Sequence, residues 1–548
     1  MRANRFAGRL LALLLLASSM ALPQAGVPAR IASGYKTISE NTLRADLTFL
    51  ASDALQGRMS LQNGDQVGID WIASEFAKAG LKPAFDGSYL QPVPLIEYRN
   101  DRAESYVAFS RGSDGAKPKR WQFPEALGAF PRDIEVTAPV VFAGYGITVP
   151  ELGYDDYAGL DAKGKIVLIF DHEPQENDPA SIFNGTGNTR HATSRVKALN
   201  AQAHGAVAVL LVAEPNRKHP SNQERVARIG GSITRREPLP SQALADNTVQ
   251  IPTVTVSDDV ARELLSIVAA PSELQTAIDR DLKPQSRPIP DTRVTVHLQN
   301  LFNRRGTSYN VGGLMEGSDP QMAGDLVIIS GHHDHDGMSD GQIWHGADDN
   351  GSGSVGVVAL AHAFAANPAR PKRSILFVVF AAEERGLLGS YYLAAHPLRP
   401  LDRTRAMINF DMIGRNEEQS DQTKGLIDIP ADTTNRLNLI GGTYSPDYRR
   451  VVEEENRAVG LMLDDRFDHD AALNIFFRSD QFPFVLHDVP AMWWFTGFHP
   501  DYHHPTDTAD KINYVKMAKI LRLAYLSAWR FADGETPKFV PNPRGQAK

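Results

Sequence analysis

A chain of 548 residues exceeds what one hydrophobic core usually organises, so two or more domains are expected. With 42% hydrophobic and 22% charged residues it has an ordinary globular composition, and a formal net charge of -8 without a basic stripe argues against nucleic acid as a partner. Cysteine is absent, which excludes disulfides, thiol catalysis, a thiolate metal site and a lipid anchor on an N-terminal cysteine.

Arg2, Arg5 and Arg9 precede an apolar stretch from Leu10 to Leu16 that continues through Ala17 to Ala21 and then gives way to small residues. Residues 1–25 have this three-part layout of a secretory signal peptide, with Ser19-Met20-Ala21 or Pro23-Gln24-Ala25 as cleavage candidates. The apolar run is shorter than the roughly 20 residues a span needs, and no later segment is long and apolar enough to cross a membrane. A soluble exported protein, periplasmic or extracellular, with no stable membrane span after signal removal is expected.

Leu43 to Leu50 and Gly64 to Ala79 have helical apolar spacing; Ile69, Ile72, Phe76 and Ala79 share one face, and Gly80 ends the second segment. From Ala138 the texture changes to short β-rich runs, VVFAGYGI and KIVLIF, then a helical stretch from Arg195 to His204, a strand AVAVLLVA, and IPTVTVS at 251–257. The Pro-, Arg- and Ser-rich stretch from Glu214 to Gln242 reads as a surface excursion. Afterwards RVTVHLQN, YNVGGLMEG, DLVIISGHHDH, SILFVVFAAEE, RAMINFDMIG and PAMWWFTGF read as strands, separated in places by helical segments such as Ser352 to Ala366 and Gly389 to Ala395. That alternation predicts an α/β domain with a mostly parallel sheet and helices on both faces. Residues 37–125 and 290–535 would form this discontinuous domain, 130–285 an inserted β-rich domain, and 536–548 a C-terminal tail.

Five clusters of histidine and carboxylate sit at strand ends or helix starts: His332-His333-Asp334, Asp348-Asp349, Glu383-Glu384, Asp411 and His503-His504. Unpaired buried charge is costly, and a metal offsets that cost. Nitrogen and oxygen ligands without sulfur suit zinc or a similar divalent ion in a site with an open position. His332 follows its strand directly as a candidate ligand, and Asp334 is placed to accept its second ring N–H. Two consecutive aspartates exceed what a helix cap needs; Asp348 is assigned to metal and Asp349 to positioning. Adjacent side chains on extended backbone point opposite ways, so of Glu383 and Glu384 one can bind metal while the other serves as general base. Asp411 repeats the design, and His503 or His504 supplies the last imidazole, with Asp507 and Asp510 near enough to orient it. Five ligands with one bridging carboxylate would hold two metals around a shared water, the arrangement for hydrolysis of an amide or related bond. A phosphoesterase could use similar ligands.

On these segments, taken in order, together with LTFLASDALQGR, GLKP and the run from VVFAGYGI to IPTVTVS, the chain resembles the co-catalytic zinc aminopeptidase family, which also contains the glutamate carboxypeptidases and the transferrin receptor ectodomain. The resemblance implies a zinc exopeptidase domain with an inserted protease-associated domain, acting on peptides with two Zn2+ per chain. It implies that His332 and Asp411 hold one zinc, Glu384 and His503 the other, that Asp348 bridges them, and that Glu383 is the general base. His333, His335 and His504 are then dispensable for metal binding. A dizinc carboxypeptidase of the glutamate carboxypeptidase type is the alternative, with Arg415 and Arg478 as candidates to grip a substrate carboxylate, though salt bridging within the protein also accounts for both; an inactive receptor-like binding protein is a third reading.

Overall fold

The computed structural model describes residues 26–541 apart from 113–117, 222–223 and 225–237. The expected signal peptide and residues 542–548 of the expected tail lie outside the described residues. Of the tail, Phe539 stacks on Tyr444 with ring centroids 5.4 Å apart, and Val540 N donates to Tyr444 O, so this part is packed onto the body.

The apolar spacing near the N-terminus produces α1 (Glu40–Leu50) and α2 (Asn63–Lys78). Ser39 caps α1, its hydroxyl accepting from Thr42 N at 3.3 Å and so satisfying one of the free N–H groups of the first turn. Leu43, Leu47 and Leu50 of α1 and Ile69, Ile72 and Phe76 of α2 are buried, each contributing about 1.5–3 kcal/mol by leaving water.

The larger sheet contains β1 (Lys82–Pro83), β2 (Leu90–Asn100), β3 (Ser241–Leu244), β4 (Asn300–Met315), β5 (Leu326–His332), β6 (Ser374–Phe380), β7 (Thr404–Phe410), β8 (Arg436–Ile440), β9 (Met462–Asp464) and β10 (Ala491–Phe495). Their order is β3-β2-β4-β6-β5-β7-β10-β8-β9, with β1 paired to β4. The four central strands β6, β5, β7 and β10 are parallel, and β4 and β8 flank them antiparallel. Every residue of β5 and β6 is buried, as a central strand covered on both faces requires. One face packs Val327, Ile329 and Phe377 under α1, α2 and α3 (Gly353–Ala365). The other packs Ile328, Leu376 and Val378 under α4 (Leu388–Ala395) and the short helix Phe482–Val485. The C-terminal α5 (Tyr514–Asp533) joins the first face, where Trp529 stacks on Phe364 with centroids 5.0 Å apart.

A second sheet of eight strands runs in the order Lys119–Trp121, Tyr106–Arg111, Arg287–Leu298, Ile134–Phe142, Ile166–Phe170, Ala208–Val212, Thr253–Val256, Ala126–Gly128. It has its own core around Phe142, Leu168, Phe170, Leu210 and Val254. By sheet membership this unit spans Tyr106 to Leu298 rather than the expected 130–285, because strand periodicity says which face a residue takes but not which sheet its strand joins. One strand crosses back: β3, from within that span, pairs with β2 at the edge of the larger sheet. The expected surface excursion from Glu214 to Gln242 is also partly internal, since Glu214, His219 and Gln242 are buried.

Candidate metal centre

Ionisable side chains collect where the central parallel strands end, the usual position of a site in such sheets. His332 is the last residue of β5, Glu383 and Glu384 follow β6, Asp411 follows β7, and His503 lies in the loop after β10. Asp349 comes from the loop ahead of α3. That loop is tied to β7: Asn350 Nδ2 donates to Phe410 O at 2.8 Å, and its Oδ1 accepts from Gly353 N at 2.9 Å. A Cβ on Gly353 would lie 2.6 Å from Phe410 O, so only glycine lets α3 approach this closely.

Around Asp349 the groups fall into two sets. His332 Nε2 lies 3.6 Å from Asp349 Oδ1 and 3.7 Å from both Asp411 Oδ1 and Glu383 Oε2. On the other side, His503 Nε2 lies 3.1 Å from Asp349 Oδ2 and 3.3 Å from Glu384 Oε2. Both Nε2 atoms are buried without a hydrogen-bond partner. Imidazole nitrogens facing carboxylate oxygens at these separations fit a divalent ion held between them at about 2.0–2.2 Å per ligand. Burial, and then Glu384, push the Asp349 carboxyl up to about 6. Burial acts to raise Glu384 too, but His503 and His335 outweigh it and hold this group down at about 2. Glu383 is raised well above the carboxylate range by burial, with His332 opposing and Asp411 adding to the effect.

The structure corrects two positional expectations, at Asp348 and Asp507, and adds detail at Asp334 and His335. Asp349, not Asp348, stands between the two histidines: Asp348 turns away, its Oδ1 accepting from Gly414 N at 2.6 Å and its Oδ2 lying 3.3 Å from His499 Nε2. Either of two adjacent aspartates satisfies the same sequence pattern, and the turn of the loop decides between them. Asp507 does not orient His503; its Oδ2 accepts from Asp348 N at 2.9 Å and Asp349 N at 3.2 Å and so pins the backbone of the pair. Asp334 presents its main-chain oxygen, 3.2 Å away, to His332 Nδ1, while its carboxylate accepts from Glu383 N at 2.9 Å and Glu384 N at 3.3 Å. His335, expected to be a bystander, has Nδ1 2.7 Å from Glu384 Oε1 and could share a metal with Asp349 and Glu384.

His333 instead points out of the cluster, toward Asp65 Oδ1 at 2.7 Å and Tyr309 O at 3.0 Å. His504 stands in none of the possible metal-holding groups among the described residues.

Three further residues escaped the sequence reading. Asp336 Oδ2 lies 3.1 Å from His503 Nδ1 and is the carboxylate placed to orient that ring; the alternation His333, His335 against Asp334, Asp336 was its only signal. His499 backs Asp348. Arg58, buried, donates to Leu50 O, His333 O, His345 O and Gly346 O at 2.7–2.9 Å, fastening both loops that frame the cluster.

A cavity of about 620 Å³ is lined by Gly386 and Leu387, two and three residues past Glu384, by Arg478 and Asp421, and by Thr193 and Arg195 of the smaller-sheet unit, with no residue of the cluster itself in its wall. Arg478 donates to the Tyr502 hydroxyl at 3.3 Å. Arg415, by contrast, is taken up by Asp501 at 2.9 Å.

Residues 310–527 match the profile of peptidase family M28, and residues 136–264 that of the PA domain. Aminopeptidase YwaD of Bacillus subtilis is 26% identical over 299 residues, 54% of this chain and 49% of that protein. Leucine aminopeptidase 2 of Trichophyton rubrum is 30% identical over 205 residues, 37% of this chain and 36% of that protein. The chain thus spans half or less of the length of these relatives. Among solved structures, an aminopeptidase from Aneurinibacillus sp. strain AM-1 aligns over 93% of this chain and 97% of its own, at 18% identity and a TM-score of 0.49.

Proposed function

We propose, from the premise that this chain carries a peptidase family M28 domain at residues 310–527 with a PA domain at 136–264, that it is an exported aminopeptidase using two zinc ions. The observation that carries the reading is Asp349, whose two oxygens each face a different histidine, with Asp411 beside one and Glu384 beside the other. His332, Asp411 and Asp349 Oδ1 would hold one ion; Glu384, His503 and Asp349 Oδ2 the other. When bound, such a pair polarises a scissile carbonyl and makes an attacking water more acidic.

The chain's own groups supply the rest. Glu383 stands beside the first set and has no partner on the second, so it is free to take the proton of the water and return it to the leaving amine. Asp334 holds both glutamate N–H groups and keeps Glu383 and Glu384 in fixed relative positions. The cavity lined by Gly386 and Leu387, just past Glu384, is the space that would take a peptide, with Arg195 and Thr193 also in its wall. The two relatives named as aminopeptidases support release of N-terminal residues.

Arg478 at the cavity wall keeps a carboxypeptidase as the second reading, because a guanidinium there could grip a terminal carboxylate. Peptides blocked at the N-terminus and peptides amidated at the C-terminus separate the two: the aminopeptidase reading expects the amidated peptide to be cleaved and the blocked one to survive, and the reverse result overturns it. Export rests on the pattern of Arg2, Arg5, Arg9 and the apolar run after them. Among the described residues no helix is long and apolar enough to cross a membrane. N-terminal sequencing of the protein recovered outside the cytoplasm should find residues 1–25 removed, and an intact Met1 would count against it.

A further inference from the structure

A second cluster of imidazole and carboxylate lies in the smaller-sheet unit and shares no residue with the first. Two neighbouring parallel strands, Ile166–Phe170 and Ala208–Val212, end side by side. His172 follows the first and Glu214 the second, and Glu176 and His219 come from the loops beyond. His172 Nδ1 lies 2.6 Å from Glu176 Oε2, and His219 Nε2 lies 2.7 Å from Glu176 Oε1 and 2.8 Å from Glu214 Oε1. Glu214 Oε1 is also 3.9 Å from His172 Nδ1. All four side chains are at most 4% exposed.

Hydrogen bonding alone accounts poorly for this arrangement. A single N–H at His219 Nε2 would have to be shared between Glu176 Oε1 at 2.7 Å and Glu214 Oε1 at 2.8 Å, and the buried Glu214 Oε1 has no hydrogen bond of good geometry. The two rings are stacked with centroids 4.2 Å apart and planes inclined by 14°. If both were protonated, two like charges would lie face to face in the interior. A divalent cation in place of the two ring protons leaves the total charge of the four groups at zero and gives every inward-facing atom a partner. Ligands of a tetrahedral zinc at about 2.0–2.1 Å lie about 3.3 Å from one another, within the range of 2.6 to 3.9 Å found here.

We propose that His172, Glu176, Glu214 and His219 form a closed, structural divalent-cation site, with zinc the ion that two nitrogens and two carboxylates suit best. The site sits at the seam between the two units. Asn188 Nδ2 lies 3.2 Å from His172 Nδ1 and donates to Asn474 Oδ1 at 3.0 Å, and Asn474 lines the 620 Å³ cavity. Two residues on, Arg190 pairs with Asp488 at 2.6 Å. An ion here locks the strand ends of the PA unit and, through Asn188 and Asn474, sets the far wall of the cleft.

The inference does not depend on the number of ions at Asp349. Zinc content after dialysis against zinc, then against buffer, is compared for the wild-type chain, Glu214→Gln, His219→Gln and Asp349→Asn. The first two variants should each hold one ion per chain fewer than wild type with unchanged far-UV circular dichroism, whereas Asp349→Asn should keep the ion at this site; equal zinc in wild type, Glu214→Gln and His219→Gln overturns the proposal. Where the variants fail to fold, crystals of the wild-type chain grown with zinc decide it. An anomalous peak at the zinc edge between His172 Nδ1 and His219 Nε2 supports the site, and its absence at saturating zinc shows a buried network of charges instead.

Discussion

The two imidazole–carboxylate clusters of this molecule are built alike and finished differently. Both hang from the carboxyl ends of adjacent parallel strands, one in each sheet. The cluster at Asp349 is the more exposed of the two, with the His503 side chain 18% accessible, and it includes Glu383 outside the second set of ligands. The cluster at His172 is more deeply buried, its four side chains at most 4% exposed, with two nitrogens and two carboxylates and no surplus base. Open sites with a spare acid or base do chemistry and closed ones hold structure, so the same ligand types serve two ends according to what the surrounding chain leaves accessible.

The sharpest way to break that contrast is at the spare base. Glu383→Gln keeps shape and leaves both ligand sets intact, so kcat should fall by about 10²–10⁴-fold while zinc content stays at the wild-type level; substantial turnover would remove Glu383 from the chemistry. His335→Ala probes the layer behind the ligands. It takes away the contact to Glu384 Oε1, and zinc affinity at the second set should weaken by roughly 10–100-fold, read by competition with a chelator; unchanged affinity would return His335 to the bystander role.

Arg58→Met tests whether the open cluster owes its geometry to a scaffold outside it. Four carbonyl oxygens lose their donor at once, and thermal stability should fall by about 3 kcal/mol or more, with activity reduced through the loops at His333 and His345. A smaller effect belongs to the PA unit. Asp156 is buried, and burial pushes its carboxyl up to about 7 against the hydrogen bonds from Tyr154, Ile147 and Tyr145 and the charge of Lys197. A carboxyl raised in the folded state keeps its proton while the unfolded chain loses one, so its contribution is fully present below about pH 4 and is lost as pH rises through 7. The slope is at most about 1.4 kcal/mol per pH unit. Asp156→Asn should flatten the decline of the melting temperature between pH 4 and 7, and an unchanged slope would assign the decline to other groups.

Much of this was legible in the residues. Strands β5, β6 and β7 are marked by mainly apolar runs, and the ionisable residue that ends or follows each run lies in the cluster. What the pattern did not carry was orientation at single-residue resolution. Asp348 and Asp349 are equivalent as letters, and only the hydrogen bonds of Gly414 and Asp507 show which carboxylate turns inward. His335 and Asp336 sit in a loop without period, where neither strand nor helix geometry tells which way a side chain points. The quartet in the PA unit was invisible for another reason: Glu214 and His219 lie in a stretch whose composition reads as surface, yet they are buried by contacts with residues about forty positions earlier.

The central claim is that one carboxylate, Asp349, serves two ions. Counting zinc per chain in Asp349→Asn and Asp348→Asn beside the wild type tests it most directly. The account predicts that Asp349→Asn loses two ions relative to wild type and that Asp348→Asn retains them, with affinity lowered only through the loop it steadies. Loss of both ions in Asp348→Asn with full retention in Asp349→Asn would contradict it.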